Sequence, residues 1–284
     1  MEEEGELIPT TCPPDCAGGS AGVISTIDSP SDGGNVYGGE QFAVSIGLHD
    51  RGESSVEDGI VCVTGLDADL FSGLYGCTCQ SYYIELDDPD DPNFERTRID
   101  FPSTFVSREA TGDQRLTAYT RYRYTSYGIF EACLTGDPFE ETACSVEGNK
   151  LVVSSSGPVE VTSITEELTP VGSNAVTLRM NVQARVNAAD NEKLIALDDT
   201  SSSACVLPVE TFTNVAVSLV LFGESHSCGN MKFEQGEDEA EITCRIENLD
   251  TQLFIGEQKE YQGWVQLEYG FQNIQSIQFT VLQE

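Results

Sequence analysis

Three stretches of this chain hold residue types that can do chemistry. Cys12-Pro13-Pro14-Asp15-Cys16 and Cys77-Thr78-Cys79 place thiols near enough to bridge or to hold a soft metal. Asp87-Asp88-Pro89-Asp90-Asp91-Pro92-Asn93 gathers carboxylates as a hard cation such as calcium requires, since that ion takes about 6–8 oxygens. Gly223-Glu224-Ser225-His226-Ser227-Cys228-Gly229 sets a histidine beside hydroxyls and a thiol, the side chains of a nucleophile and its base.

Each stretch also has a plainer reading, which is the preferred one. Neither cysteine pair is a CxxC knuckle, and the only histidines, His49 and His226, lie far from both, so zinc is disfavoured. The acid run lacks the EF-hand spacing and its glycine, and its two prolines keep it extended. It reads as a solvated turn, with calcium at Asp87, Asp88, Asp90 and Asp91 as the alternative. The 223–229 stretch is not G-x-S-x-G and follows a strand with no helix after it, so it reads as a disulfide-anchored loop. No catalytic residue is assigned, no cofactor is expected, with calcium at the acid run as the alternative, and the chain is read as no enzyme.

The elements that must position these residues show in a period-two pattern, while helical periodicity is nearly absent. Phe42, Val44, Ile46 and Leu48 share one face, as do Leu116, Ala118, Thr120, Tyr122 and Tyr124, opposite Thr117, Tyr119, Arg121 and Arg123. Val176, Leu178, Met180, Val182, Ala184 and Val186 make the longest such row. Val215, Val217, Leu219 and Leu221 follow, then Val265 with Leu267, and Phe279 with Val281. The fold class read from this is all-β: two tandem antiparallel β-sandwiches of immunoglobulin type, braced by disulfides. The expected division is an acidic cysteine-bearing tail at 1–20, one sandwich at 21–156 and another at 157–284, cut at a Ser/Gly/Pro hinge near Gly157.

Ten cysteines, Cys12, Cys16, Cys62, Cys77, Cys79, Cys133, Cys144, Cys205, Cys228 and Cys244, make an even set for pairing. Cys133 and Cys144 flank a Gly-Asp-Pro loop, and Cys228 and Cys244 bracket an acidic turn, so each pair is expected to bridge. Cys62 can meet Cys77 or Cys79. Seven cysteines precede residue 157 and three follow it. Either an odd number of bridges leaves the first half, for the second half or another molecule, or each half keeps a free thiol. Cys205 and the Cys12/Cys16 tail are the candidates. Disulfides persist outside the reducing cytosol, so the expected location is extracellular or at a cell surface.

Charge narrows the partners. The 284 residues carry 48 Asp and Glu against 14 Lys and Arg, a formal net charge of −34. Such a surface repels nucleic acid and anionic lipid, and suits high salt, where the Debye length falls to about 3 Å at 1 M. The sign reverses only near the centre of the sequence. There Arg96, Arg98, Arg115, Arg121 and Arg123 interleave with Tyr119, Tyr122 and Tyr124, residue types favoured at interfaces. This patch is expected to dock on an acidic surface, either the chain's own second domain or a neighbouring subunit. The partner expected of the whole chain is a protein or cell-envelope component, or another copy of itself. No apolar run is long enough for a membrane span. Met1-Glu2-Glu3-Glu4-Gly5-Glu6-Leu7 lacks the basic and apolar regions of a signal peptide, so a mature or trimmed chain is expected.

The stretch Glu40 to Gly65, with His49-Asp50-Arg51-Gly52 at its turn, resembles the strand–turn–strand core of cell-adhesion-related (CARDB-type) immunoglobulin-like domains. Gly157 to Glu167, Val176 to Val182, Val265 to Ile274 and the Tyr127–Cys144 region are similar to secreted two-domain surface proteins of small-genome (DPANN-type) archaea. The resemblance implies stacked sandwich domains at a cell surface and carries over no catalytic residue. The function expected is therefore adhesion or cell-envelope contact in a high-salt setting. The alternative is a structural subunit of an extracellular filament, sheath or virion.

Overall fold

The computed structural model describes residues 22–28, 30, 34–74, 76–85, 96–135, 144–171, 175–208, 210–250 and 259–283, and nearly all are strand or turn. The strands begin with β1 Val23–Ile27, β2 Asn35–Tyr37, β3 Gln41–Phe42, β4 Ser45–Asp50, β5 Val56–Thr64, β6 Phe71–Ser72 and β7 Cys77–Ile84. They continue with β8 Arg96–Asp100, β9 Thr104–Val106, β10 Gly112–Leu134, β11 Gly148–Lys150, β12 Val152–Ser154, β13 Val159–Val171 and β14 Ala175–Val186. Last come β15 Glu192–Ile195, β16 Phe212–Leu221, β17 Glu224–Glu234, β18 Glu239–Asp250 and β19 Lys259–Leu282. The one helical element among the described residues is a single 3₁₀ turn, Leu197–Asp199. The all-β, disulfide-braced class expected from the alternation is what the structure has. The pairings are antiparallel, apart from β2 alongside β19.

Two compact units result, and both are discontinuous in sequence. One, here the β14 unit, takes Thr125–Asn187 and Thr211–Tyr269; the other, the β5 unit, takes Ala21–Tyr124, Ala188–Glu210 and Gly270–Glu284. β10 and β19 contribute to both. This differs from the expected tandem cut, and residue 157 falls inside the β14 unit. Ser155, Ser156, Gly157 and Pro158 are all buried. Ser155 N–H donates to Tyr127 O and Ser155 Oγ accepts from Tyr127 N–H, each at 2.8 Å. Small residues that read as a hinge are a hydrogen-bonded crossover from β12 to β13.

In the β14 unit one sheet has the order β11-β13-β14-β18. β14 explains it: Val176, Leu178, Met180, Val182 and Ala184 are buried, while Arg179, Gln183 and Arg185 are exposed. A second sheet sets β16 between β17 and β19 and β12 on β10, lining the core with Val215, Val217, Leu219, Leu221, Val265 and Leu267. Burying each such side chain stabilises by about 1.5–3 kcal/mol. Gly128 of β10 sets the approach to β13, because a Cβ there would lie 2.7 Å from the Val161 side chain.

In the β5 unit, β1-β4-β8 and β3-β9-β6 form two small sheets, and β5 lies between β7 and β10. Phe42, Phe71 and Phe279 meet edge to face with centroids 5.6–6.4 Å apart. The buried tyrosines keep their polar ends satisfied. Tyr122 Oη accepts Val23 N–H at 3.0 Å and Tyr124 Oη accepts Ser54 N–H at 3.2 Å.

Candidate functional site

The densest chemistry in the β5 unit is a sulfur cluster on β5 and β7. The register puts Cys62 opposite Cys79 and Thr64 opposite Cys77. Cys62 bridges straight across to Cys79, with Cα atoms 4.0 Å apart. Cys77, on the same face of β7 two residues earlier, bridges to Cys205, which is 128 residues away in sequence. The Cys77 and Cys79 sulfurs lie 3.9 Å apart. The Cys62, Cys77 and Cys79 sulfurs sit within 4.8 Å of one another, the spacing of a soft-metal site. Here all are disulfide sulfurs, and the thiolate is the metal-binding form. Cys77–Cys205 is a crossing bridge, one of the two outcomes that the seven-to-three count left open beside a free thiol in each half.

Beside this cluster Arg121 is fully buried. Its guanidinium donates to Gln272 Oε1 at 2.8 Å, Ser202 O at 2.8 Å and Cys205 O at 3.0 Å. Burial pulls it below the usual arginine range, and Asp199 and then Tyr119 oppose that pull. Arginine and disulfide therefore hold the same segment: Ser202 and Cys205 by their carbonyls, Cys205 also by its sulfur. Nearby, burial and then Asp50 push the Tyr82 phenol well above its ordinary range. It stays protonated and donates to Arg121 O at 3.5 Å.

The β14 unit buries a different charged group. Glu166 of β13 and Lys150 of β11 form an ion pair whose side chains are 0% and 9% exposed. Glu166 stands opposite Gly148 and Lys150 opposite Ile164, so the two are diagonal neighbours. Glu166 Oε2 also accepts Cys133 N–H at 3.0 Å, and Lys150 Nζ donates to Ser145 O. Burial pushes the Glu166 carboxyl up, against the pull of Lys150 and of the Cys133 N–H. The Cys133–Cys144 bridge holds the donor of the first contact, Cys133 N–H, close to the acceptor of the second, Ser145 O. The fourth bridge, Cys228–Cys244, joins β17 of one sheet to β18 of the other.

The expected docking patch is dispersed. Arg121, Tyr122 and Tyr124 are buried at 0–1% exposure, and Tyr119 is half-buried against the Arg121 guanidinium. Those three cannot face another molecule, which corrects that part of the expectation, and the Arg121 partners come instead from the second half of the same chain. The reason is that both faces of β10 are covered at this point: one by core, the other by the segment that Cys205 anchors. Arg96, Arg98, Arg115 and Arg123 are exposed. Arg98 pairs with Asp100 at 3.0 Å and Asp28 at 3.3 Å, and Arg115 donates to Ser276 Oγ at 3.3 Å.

The 223–229 stretch is also corrected, from loop to strand. Phe222 and Gly223, both at positive φ, make the two-residue turn into β17. His226 then projects to the face opposite Ser225 and Ser227, so no nucleophile–base pair forms. Asp87, Asp88, Asp90 and Asp91, like Cys12 and Cys16, lie outside the described residues. All eight described cysteines are bridged. No family model matches this chain, and no curated protein matches it in sequence.

Proposed function

We propose that this protein is a non-enzymatic module of a cell surface, built from immunoglobulin-like layers and acting in adhesion or cell-envelope contact at high salt. The observation that carries the reading is the bridge network. Four disulfides close the described chain, one of them spanning 128 residues, and such networks persist in oxidising surroundings. Charge supports the setting. Among the described acidic residues only Asp50 and Glu166 are buried, so the excess of carboxylates is a solvated coat that salt screens.

The filament, sheath or virion reading drew on the cysteine parity and the arginine–tyrosine patch. Cys77–Cys205 supplies a crossing bridge within one chain, and burial takes Arg121, Tyr122 and Tyr124, three of the patch's eight residues, out of the second. The test is retention of the folded protein on cell-envelope material in molar salt, beside an unrelated protein of equal negative charge. Selective, saturable retention is expected. Retention no greater than that of the control would overturn the proposal.

A further inference from the structure

The buried pair in the β14 unit has one oxygen too many. Glu166 Oε1 is buried and accepts no hydrogen bond among the described residues. An unsatisfied buried polar atom costs about 1–3 kcal/mol, and more when charged. Every other polar atom of the pair is engaged: Oε2 by Cys133 N–H, Nζ by Ser145 O and by Oε2 itself.

We propose that Lys150 and Glu166 condense to an intramolecular amide, a covalent tie between β11 and β13. The proton passes from the ammonium to the carboxylate, giving amine and acid. The Nζ lone pair attacks Cδ, the Nζ–Cδ bond forms, and the Cδ–Oε1 bond breaks. Oε1 leaves as water with the acid hydrogen and one hydrogen from Nζ. Amine and carboxylic acid become amide and water, with no change of oxidation state and no co-reactant.

The surroundings fit each step. The oxygen lost is the one without a donor. Oε2 becomes the amide carbonyl and keeps Cys133 N–H, which also steadies the negative oxygen of the tetrahedral intermediate. The amide keeps one N–H, and Ser145 O accepts it. Burial favours the uncharged acid over the carboxylate. The ammonium and the carboxylate are already in contact through Oε2, so the cost of bringing amine and acid together falls on folding. Cys133, Ser145 and Lys150 line an open depression of about 370 Å³, an exit for the water. The product replaces two buried charges with a satisfied neutral group.

The test is the intact mass of the full chain, fully reduced and unfolded. The proposal expects a mass lower by one water than the sequence requires, and a digest containing the Lys150 and Glu166 peptides joined. Lys150→Arg keeps the ion pair but cannot form this bond, and its mass should return to the full value. A wild-type chain at full mass would overturn the proposal. So would a water deficit that survives in Lys150→Arg, since it would lie elsewhere in the chain. Neither result depends on the surface role.

Discussion

The two units bury charge by opposite means. In the β14 unit the fold sets a carboxylate against an ammonium, the two groups from which the proposed amide forms, and they join neighbouring strands to the Cys133–Cys144 region. In the β5 unit a guanidinium goes in with three neutral oxygens as acceptors, two of them backbone carbonyls of one segment. Guanidinium is weakly hydrated and presents a fixed fork of donors, so it tolerates this better than an ammonium would. The contrast separates two tasks. The pair locks strand to strand where register already brings residues together, while Arg121 secures a segment with little regular structure. Burial costs both groups, and each is retained where removing one partner would strand another.

Breaking the pair should give the largest effect. Glu166→Ala removes the tie in either form, ion pair or amide, and leaves the largely buried Lys150 without its partner. It should destabilise by about 3–5 kcal/mol, read from the denaturant midpoint in high salt. A loss below about 1 kcal/mol would mean that Lys150 simply swings into solvent.

Removing the long bridge comes next. The double change Cys77→Ser with Cys205→Ser should cost about 2–5 kcal/mol in the same measurement. It should also raise hydrogen exchange around Ser202 while leaving β14 amides protected. Equal loss of protection in both units would erase the distinction drawn between them.

Arg121→Met keeps the volume but leaves Ser202 O, Cys205 O and Gln272 without their donor. About 2–3 kcal/mol is expected, with local exposure of the 199–206 segment on hydrogen exchange. Unchanged exchange there would show that the disulfide alone holds the segment.

The smallest effect belongs to Asp100. Its carboxyl is held below the usual range by Ser45 first and then by Arg98. A depressed folded value gives stabilisation that is present above the unfolded value of about 3.9 and lost as pH falls through the folded one. Asp100→Asn should therefore flatten the acid limb of the stability profile slightly, and less in molar salt, which screens the Arg98 attraction but leaves the Ser45 hydrogen bond. An effect that vanishes completely in molar salt would show that Arg98 alone holds the carboxyl.

Much of this was legible in the residues, and the gaps have physical causes. Alternation placed Phe42, Val44, Ile46 and Leu48 inward, and all four are buried. Short-range cysteine spacing anticipated Cys133–Cys144 and Cys228–Cys244, where a hairpin-sized loop closes. Arg121 was misread because alternation tells two faces of a strand apart but not whether the second face is also covered. Parity left Cys205 either bridged out of its half or free, and could not choose among distant thiols, since that choice depends on tertiary approach. Lys150 and Glu166 gave no signal, because only the β11–β13 register makes residues sixteen apart diagonal neighbours. The Ser/Gly/Pro stretch at 155–158 has linker composition, and small residues serve equally well in a tight buried crossover.

The account rests on an oxidised chain fastened to itself across long sequence distances. Peptide mapping of the native protein under non-reducing conditions, with free thiols first blocked, tests this most directly. It should recover Cys77 joined to Cys205 and Cys62 joined to Cys79 within one chain. Blocked thiols at these four positions, or Cys205 joined to a second molecule, would contradict it.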